Sequence, residues 1–341
     1  MVANDSRYFN LTKVARANVP FNFIIGGRGT GKTYRCLWNA YDTVSPDTRF
    51  MYLRRTEVEI SSIADAKYNP FKAINRKLGY NVQARYIAKN SVGEFYETVE
   101  SEEERFLGYA AALSTFGKLR GADLSDTDKV IFDEFIKPSA ARHLKDEADL
   151  FFNAYETINR NREIEGKPPV MCYLLSNATS LNNPILAELG LTRIIENMKR
   201  NSDTVYTDRQ RGAHIELLDN IAISKEKADT ALYKLTKSTT YASHALDNEF
   251  AYDSFENIEK VSLNEYTPWI QLSDMYIYKH KSRLEFYVSA TSKTKCKFVF
   301  TGDKEPLFKR QYGYRFHHLI MGGYVLFQSF AVKQKLLSYF E

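Results

Sequence analysis

The stretch FNFIIGGRGTGKTYRCLWNA, which begins at Phe21, limits what this chain can fold into more than any other. Its apolar run FNFII (21–25) ends at glycine, as a buried parallel strand does. Gly26-Gly27-Arg28-Gly29-Thr30-Gly31-Lys32-Thr33 then fits the pattern G-x-x-x-x-G-K-[ST]. Glycines let successive backbone N–H groups turn inward around an anion. A helix over 33–41 would aim its free N–H groups and its positive dipole end at the same point. In such a loop Lys32 reaches the β- and γ-phosphates of a nucleotide, and the Thr33 hydroxyl ligates Mg²⁺.

A loop of this kind needs a carboxylate for the metal. KVIFDEF (129–135) supplies one at the end of a second apolar strand. Asp133 is expected to hold the Mg²⁺ shell, and Glu134, next along, to polarise the attacking water. A glutamate there favours hydrolysis over switching, and ATP over GTP. RFMYLRR (49–55) and VMCYLLSNA (170–178) read as two further buried strands. Ser176 and Asn177 would emerge from the second of these beside the nucleotide, as phosphate sensors or as turn formers. Residues 147–162 place Leu150, Phe151, Ala154, Tyr155 and Ile158 on one helical face. Strands alternating with helices predict an α/β fold with a mostly parallel sheet.

Between Tyr80 and Ser114 the pattern becomes β-rich, with a turn at KNSVGE, and reads as an insertion. After Thr204 it weakens. The segment that follows reads as a connection outside the sheet, with one short helix over SKEKADTALYKLTK. Strands return in MYIYK, LEFYVSA and KFVFT, closed by a helix-like FHHLIMGGYVLFQSFAVKQKLLSYF. The expected domains are 1–205, a linker or lid over 206–253, and a terminal module over 254–341.

Composition narrows the class. No apolar run reaches the roughly 18 residues that span a bilayer. The N-terminus lacks the apolar core of a secretory signal. Cys36, Cys172 and Cys296 are isolated, which suggests neither a zinc site nor a disulfide framework. A reducing, cytosolic setting follows. The net charge of +5 is concentrated: residues 254–341 hold 13 Lys+Arg against 8 Asp+Glu, while the rest of the chain balances. A basic terminal module points to a polyanionic partner. KHKSR and KTKCK flank LEFYVSA, so Lys279, Lys281, Arg283, Lys293, Lys295 and Lys297 are expected to gather at one end of a hairpin. Contacts from such residues to phosphates would be independent of sequence and sensitive to salt. The module's acids, Glu256, Glu259, Glu265, Asp274, Glu285, Asp303, Glu305 and Glu341, are scattered. A nuclease needs them clustered around metal, so no cleavage activity is expected.

Hydrolysis spreads negative charge over the γ-phosphoryl group, and an arginine from a neighbouring subunit can stabilise it. The candidates are Arg28, Arg54, Arg55, Arg120, and Arg160 with Arg162 in INRNRE. That last pair ends an amphipathic helix, where it could equally serve as favourable charge at a helix C-terminus.

FIIGGRGTGKT, FMYLRR, KVIFDEFI, INRNRE, LLSNA and ALDNEF occur in that order. In this the chain closely resembles the genome-packaging ATPases of φ29-like tailed phages. The likeness runs from the phosphate loop to GYRFHHLIMGGYVLF. It implies a P-loop ATPase domain of the additional-strand, catalytic-glutamate type. A lid and a small α+β domain like a ribonuclease H that has lost its catalytic carboxylates would follow. It further implies ATP and Mg²⁺ as ligands and a homopentameric ring at the portal vertex of an empty capsid, in the host cytoplasm. Double-stranded DNA would be the cargo, and in φ29 itself a packaging RNA joins ring to capsid. The match at INRNRE makes Arg160 the trans-acting finger. A second trans-acting basic residue falls at Lys118 or Arg120 in FGKLRG, with the choice left open. Where the relatives carry a lysine after the Arg-Arg pair, this chain has Glu57. Two other readings remain: a cellular DNA pump or helicase of the same ATPase division, and a nucleotide-gated nucleic-acid adaptor that scarcely hydrolyses.

Overall fold

The computed structural model describes residues 6–98, 104–138, 141, 143–218, 222–236, 257–292 and 295–340. The chain divides into two compact units. One comprises Met1–Ile185 with Met198–Tyr252, and the other Leu186–Asn197 with Asp253–Glu341.

Phe23, Ile24 and Ile25 are fully buried because their strand, β1 (Phe21–Gly26), lies inside a sheet. The other strands of this first unit are β2 (Arg49–Arg54), β3 (Val82–Ile87), β4 (Val92–Thr98), β5 (Glu104–Ala112), β6 (Thr127–Asp133), β7 (Met171–Ser176), β8 (Val205–Asp208) and β9 (Ala213–Leu218). Among the described residues they form one sheet in the order β3-β4-β5-β2-β6-β7-β1-β9-β8. The run from β5 to β9 is parallel, and antiparallel partners close both edges. The parallel strands β1, β2, β6 and β7 are the continuous apolar runs of the sequence, as burial on both faces requires. The expected α/β fold with a mostly parallel sheet is therefore present.

Three features differ from the sequence reading. The β-rich stretch is no separate insertion, because β5 pairs in parallel with β2 and extends the main sheet. Phe50, Phe71 and Phe95 lock it there, with ring centroids 5.3–5.8 Å apart. The segment after Thr204 is not a bare connection. Strand β9 pairs with β1 along its whole length, from Phe21↔Ala213 to Gly26↔Leu218, and all six of its residues are buried. Its polar residues disguise it: His214 bonds Thr207 Oγ1 at 2.8 Å, and Glu216 meets Lys13 at 3.1 Å. Finally, the predicted single helix over SKEKADTALYKLTK is two, Ala222–Ala228 and Ala231–Leu235. ALDNEF lies outside the described residues.

The second unit holds a five-stranded sheet among its described residues. Its strands are β10 (Tyr266–Leu272), β11 (Met275–His280), β12 (Phe286–Ser289), β13 (Phe298–Phe300) and β14 (Val325–Phe327), in the order β13-β10-β11-β12-β14. Strands β10 to β12 are antiparallel, and β13 and β14 add in parallel at opposite edges. Phe286, Phe308, Phe316 and Phe327 are fully buried in its core. The closing segment is not one helix. Helix Glu305–Met321 stops at Gly322-Gly323, where Gly323 takes φ +76°, and the chain then forms β14 and helix Phe330–Leu337. Among the described residues no helix is long and apolar enough to cross a membrane.

Candidate active site

The loop after β1 turns through two left-handed glycines, Gly29 at φ +67° and Gly31 at φ +91°. Gly31 needs glycine for this conformation, and a side chain there would also press on Tyr8 at 3.3 Å. Helix Lys32–Asp42 starts directly behind it. Thr30 Oγ1 donates to Gly27 O at 3.0 Å and braces the turn. Lys32 folds back inside the loop. Its Nζ donates to Gly26 O and Gly27 O, each at 2.9 Å, and lies 3.4 Å from Asn177 Oδ1. Burial lowers the Lys32 pKa to about 8, against an upward pull from Asp133.

Parallel neighbours β6 and β7 deliver the remaining groups to the same edge of the sheet. Asp133 is the last residue of β6. The Thr33 hydroxyl donates to its two carboxylate oxygens at 3.1 and 3.2 Å. Tyr52 OH and Arg54 Nη1 both reach Asp133 Oδ2, at 3.0 and 3.4 Å. Among the described residues Oδ2 thus has three bond partners, and Oδ1 has Thr33 alone. A hydroxyl and a carboxylate, both hard oxygen donors and few in number, suit Mg²⁺, which keeps several waters and takes few protein ligands. Glu134 follows at φ +56°, a left-handed conformation that costs a non-glycine residue about 1–2 kcal/mol. That turn swings its carboxylate off the strand to Arg54 Nη2, 2.8 Å away. Ser176 and Asn177 end β7 and follow it. Together, Arg28 to Tyr34, Asp133, Glu134, Ser176 and Asn177 line one pocket of about 430 Å³. Of the residues expected around a nucleotide, Arg28 to Thr33, Asp133 and Asn177 share this crevice, whereas Gly26 and Gly27 do not line it and offer their carbonyls to Lys32.

Residues 3–315 match the family model described as Podovirus DNA encapsidation protein (Gp16). The chain belongs to that family. The DNA packaging protein of Bacillus phage phi29 is 28% identical over 261 residues, which cover 76% of this chain and 70% of that one. The packaging protein of Bacillus phage PZA matches to the same extent. Among solved structures, the bacteriophage Phi-29 genome packaging motor assembly shares the fold with a TM-score of 0.69 at 21% identity. The match covers 98% of this chain and 100% of that one. The Phi-28 DNA packaging motor shares it at 0.62 and 19% identity, over 98% of both chains.

Other expected residues of this encapsidation protein lie elsewhere. Arg54, grouped with arginines awaiting a neighbour, is engaged within its own subunit by Asp133, Glu134 and Glu59. Arg55 is buried and pairs through Nε and Nη2 with Glu147, at 2.6 and 3.0 Å. Both are thus paired within the chain. The sequence reading missed the cis role of Arg54 and the Tyr52 contact. Their signal was period two on β2, which puts Tyr52 and Arg54 on one face.

Arg160 caps helix Glu147–Asn159 at φ +44°, ψ −125°, a strained backbone for arginine, and its side chain is exposed. Its Nη2 donates to Ala122 O, while Arg162 Nη1 donates to Ser125 O and Thr127 O at 3.0 and 3.3 Å. Thr127 begins β6 and Asp133 ends it. Both arginines thus bond the segment that leads into β6, and at ~3.3 Å per residue that strand puts about 20 Å between Thr127 and Asp133. Lys118 Nζ donates to Ser91 Oγ at 2.6 Å, and Arg120 is exposed at the end of the same 3-10 segment. Glu57 accepts from Tyr86 OH at 2.5 Å, and its pKa is lowered by bonds from Ser91 and Tyr86 and by the charge of Lys118.

In the second unit Lys279, Lys281, Arg283, Lys295 and Lys297 are all exposed, and Lys293 lies outside the described residues. They gather at one end of the sheet, since Lys279 lies opposite Thr267 and Phe298 opposite Ile270 on the same β10, but they belong to no single hairpin. KHKSR runs from β11 into the β11–β12 turn, whereas Lys297 leads into β13, which β10 and β11 separate from β12. Strand β13 pairs in parallel with β10, so the chain must cross the sheet rather than turn back. Arg283 also pairs with Glu285 at 2.9 Å, which offsets part of the cluster's charge.

Proposed function

We propose that this chain is the ATP-hydrolysing subunit of a genome-packaging motor, which drives double-stranded DNA through a portal into a capsid. One observation carries the reading: in a member of a DNA encapsidation family, Thr33 of the phosphate loop and Asp133 of β6 lie 3.1 Å apart with Glu134 beside them. Backbone N–H groups of the loop and the Lys32 ammonium bind the triphosphate of the substrate. Thr33 Oγ1 and Asp133 Oδ1 would hold Mg²⁺, which when bound neutralises charge on the phosphate oxygens. Glu134 orients and deprotonates the attacking water. Strand β7, seated between β1 and β6, supports the additional-strand, catalytic-glutamate subtype.

The same reading takes the motor as a ring, pentameric in the resemblance noted above. The bond of Arg160 to Ala122, before the start of β6 whose other end carries Asp133, supports action on a neighbour's nucleotide. Lys118 and Arg120 are the further trans-acting candidates. The second unit is read as a ribonuclease-H-like relic that touches DNA, a packaging RNA or the portal through its exposed cations. Several of its acids are engaged in bonds: Asp274 pairs with Lys335 at 2.6 Å and Glu305 accepts from Tyr339 at 2.7 Å. ATPase rate with and without duplex DNA, across a salt series, tests the proposal. Stimulation that fades with salt is expected; turnover indifferent to DNA would refute it.

A further inference from the structure

A second lysine reaches the phosphate loop, from the far end of the first unit. Lys227 sits in helix Ala222–Ala228, which follows β9 in the chain. Its ammonium donates to Arg28 O and occupies the space that a side chain at Gly29 would need, so any Cβ there would collide with Nζ. The helix is fastened near the loop by two ties to the N-terminal stretch. Ile223 N–H donates to Arg7 O at 3.2 Å, and Arg7 pairs with Glu226 at 3.0 Å. That stretch in turn bonds the loop, through Phe9 N–H to Thr30 O at 3.0 Å.

Two ammonium groups thus approach one loop, Lys32 from inside and Lys227 from outside. Among the described residues neither forms an ion pair with a carboxylate; both rest on backbone carbonyls. Desolvation lowers the Lys227 pKa, and the Lys227 charge helps to lower that of Lys32. Two cations held at one loop suit a ligand with several negative charges. We propose that Lys227 is a second phosphate-binding cation, which leaves Arg28 O to contact the terminal phosphates of bound nucleotide and so draws helix 222–228 onto the loop. The inference rests on the nucleotide reading of the crevice. It adds a means by which loop occupancy is passed to the chain beyond β9.

The test uses the full chain, with Lys227→Met to keep length and lose charge, Lys227→Arg to keep charge, and Lys32→Ala as the control on the site itself. ATP affinity, steady-state kcat and KM, and hydrogen exchange of residues 222–228 with and without a non-hydrolysable ATP analogue are measured. Lys227→Met is expected to weaken ATP binding and raise KM roughly tenfold or more, with kcat changed less than about threefold. Nucleotide-dependent protection of 222–228 is expected in the parent protein, retained in Lys227→Arg and lost in Lys227→Met. Unchanged affinity and protection in a folded Lys227→Met overturns the inference, as does absence of protection in the parent protein, which needs no variant. If Lys32→Ala instead binds ATP normally, the nucleotide reading of the loop fails, and that outcome is distinct from either.

Discussion

Arg54 Nη2 lies 2.8 Å from Glu134 Oε2 and 2.5 Å from Glu59 Oε1, while its Nη1 reaches Asp133 Oδ2 at 3.4 Å. One guanidinium thus neutralises the acid assigned to the metal and the acid assigned to water, and a third carboxylate fixes the guanidinium. The arginine side chain is mostly buried. Arg54→Ala should cost about 3 kcal/mol of stability, because it leaves carboxylates crowded and unpaired. Arg54→Lys should recover stability better than turnover, since an ammonium cannot serve three carboxylates in a fixed fork. Thermal melts and kcat on the two variants check this.

Glu134 has a positive φ that only glycine adopts freely. Both Glu134→Ala and Glu134→Gly remove the carboxylate and its bond to Arg54. The glycine variant should nevertheless be more stable, by ~1 kcal/mol, because the backbone penalty disappears. Denaturant midpoints of the two variants, each without turnover, measure that difference directly.

Arg160 holds a similarly costly backbone at the far end of β6. If it serves a neighbour, subunits with Arg160→Ala and subunits with Glu134→Gln are each defective alone. Mixed, they should regain DNA-stimulated hydrolysis, because a Glu134→Gln subunit lends its Arg160 to an intact pocket next door. A mixture no more active than its components would place the arginine in cis or outside the mechanism.

Burial holds Lys32 near pKa 8, against about 10.4 in an unfolded chain. The depressed pKa means that the charged form opposes folding, so this contribution to stability rises as pH climbs from about 8 to 10.4. Polyphosphate favours the ammonium, so ATP binding at pH 8.5 should take up a proton. Calorimetry in buffers of differing ionisation enthalpy reads the uptake, and Lys32→Arg should abolish it.

Much of this was legible in the chain itself, for identifiable reasons. Strands β1, β2, β6 and β7 are buried on both faces, so they appear as unbroken apolar runs ending in functional residues. Strand β9 was not legible, because His214 and Glu216 are buried on it with polar partners that only tertiary structure supplies. Strand β10 was hidden by Pro268, which its bulge between Pro268 and Ile270 accommodates. The site divided along the same line. The loop and the acids follow from local pattern, whereas Arg54 needed the register of β2 against β6, Leu53 beside Phe132, to bring it to Asp133. The bond from Lys227 to the loop spans 199 residues, and no local signal announces it.

The central claim is that Glu134 drives hydrolysis of a triphosphate held between Lys32 and Asp133. Single-turnover hydrolysis of ATP by Glu134→Gln, with affinity measured in parallel, tests it most directly. Binding close to that of the parent protein with cleavage slowed at least about a hundredfold is the predicted result. Cleavage at the parent rate would contradict it.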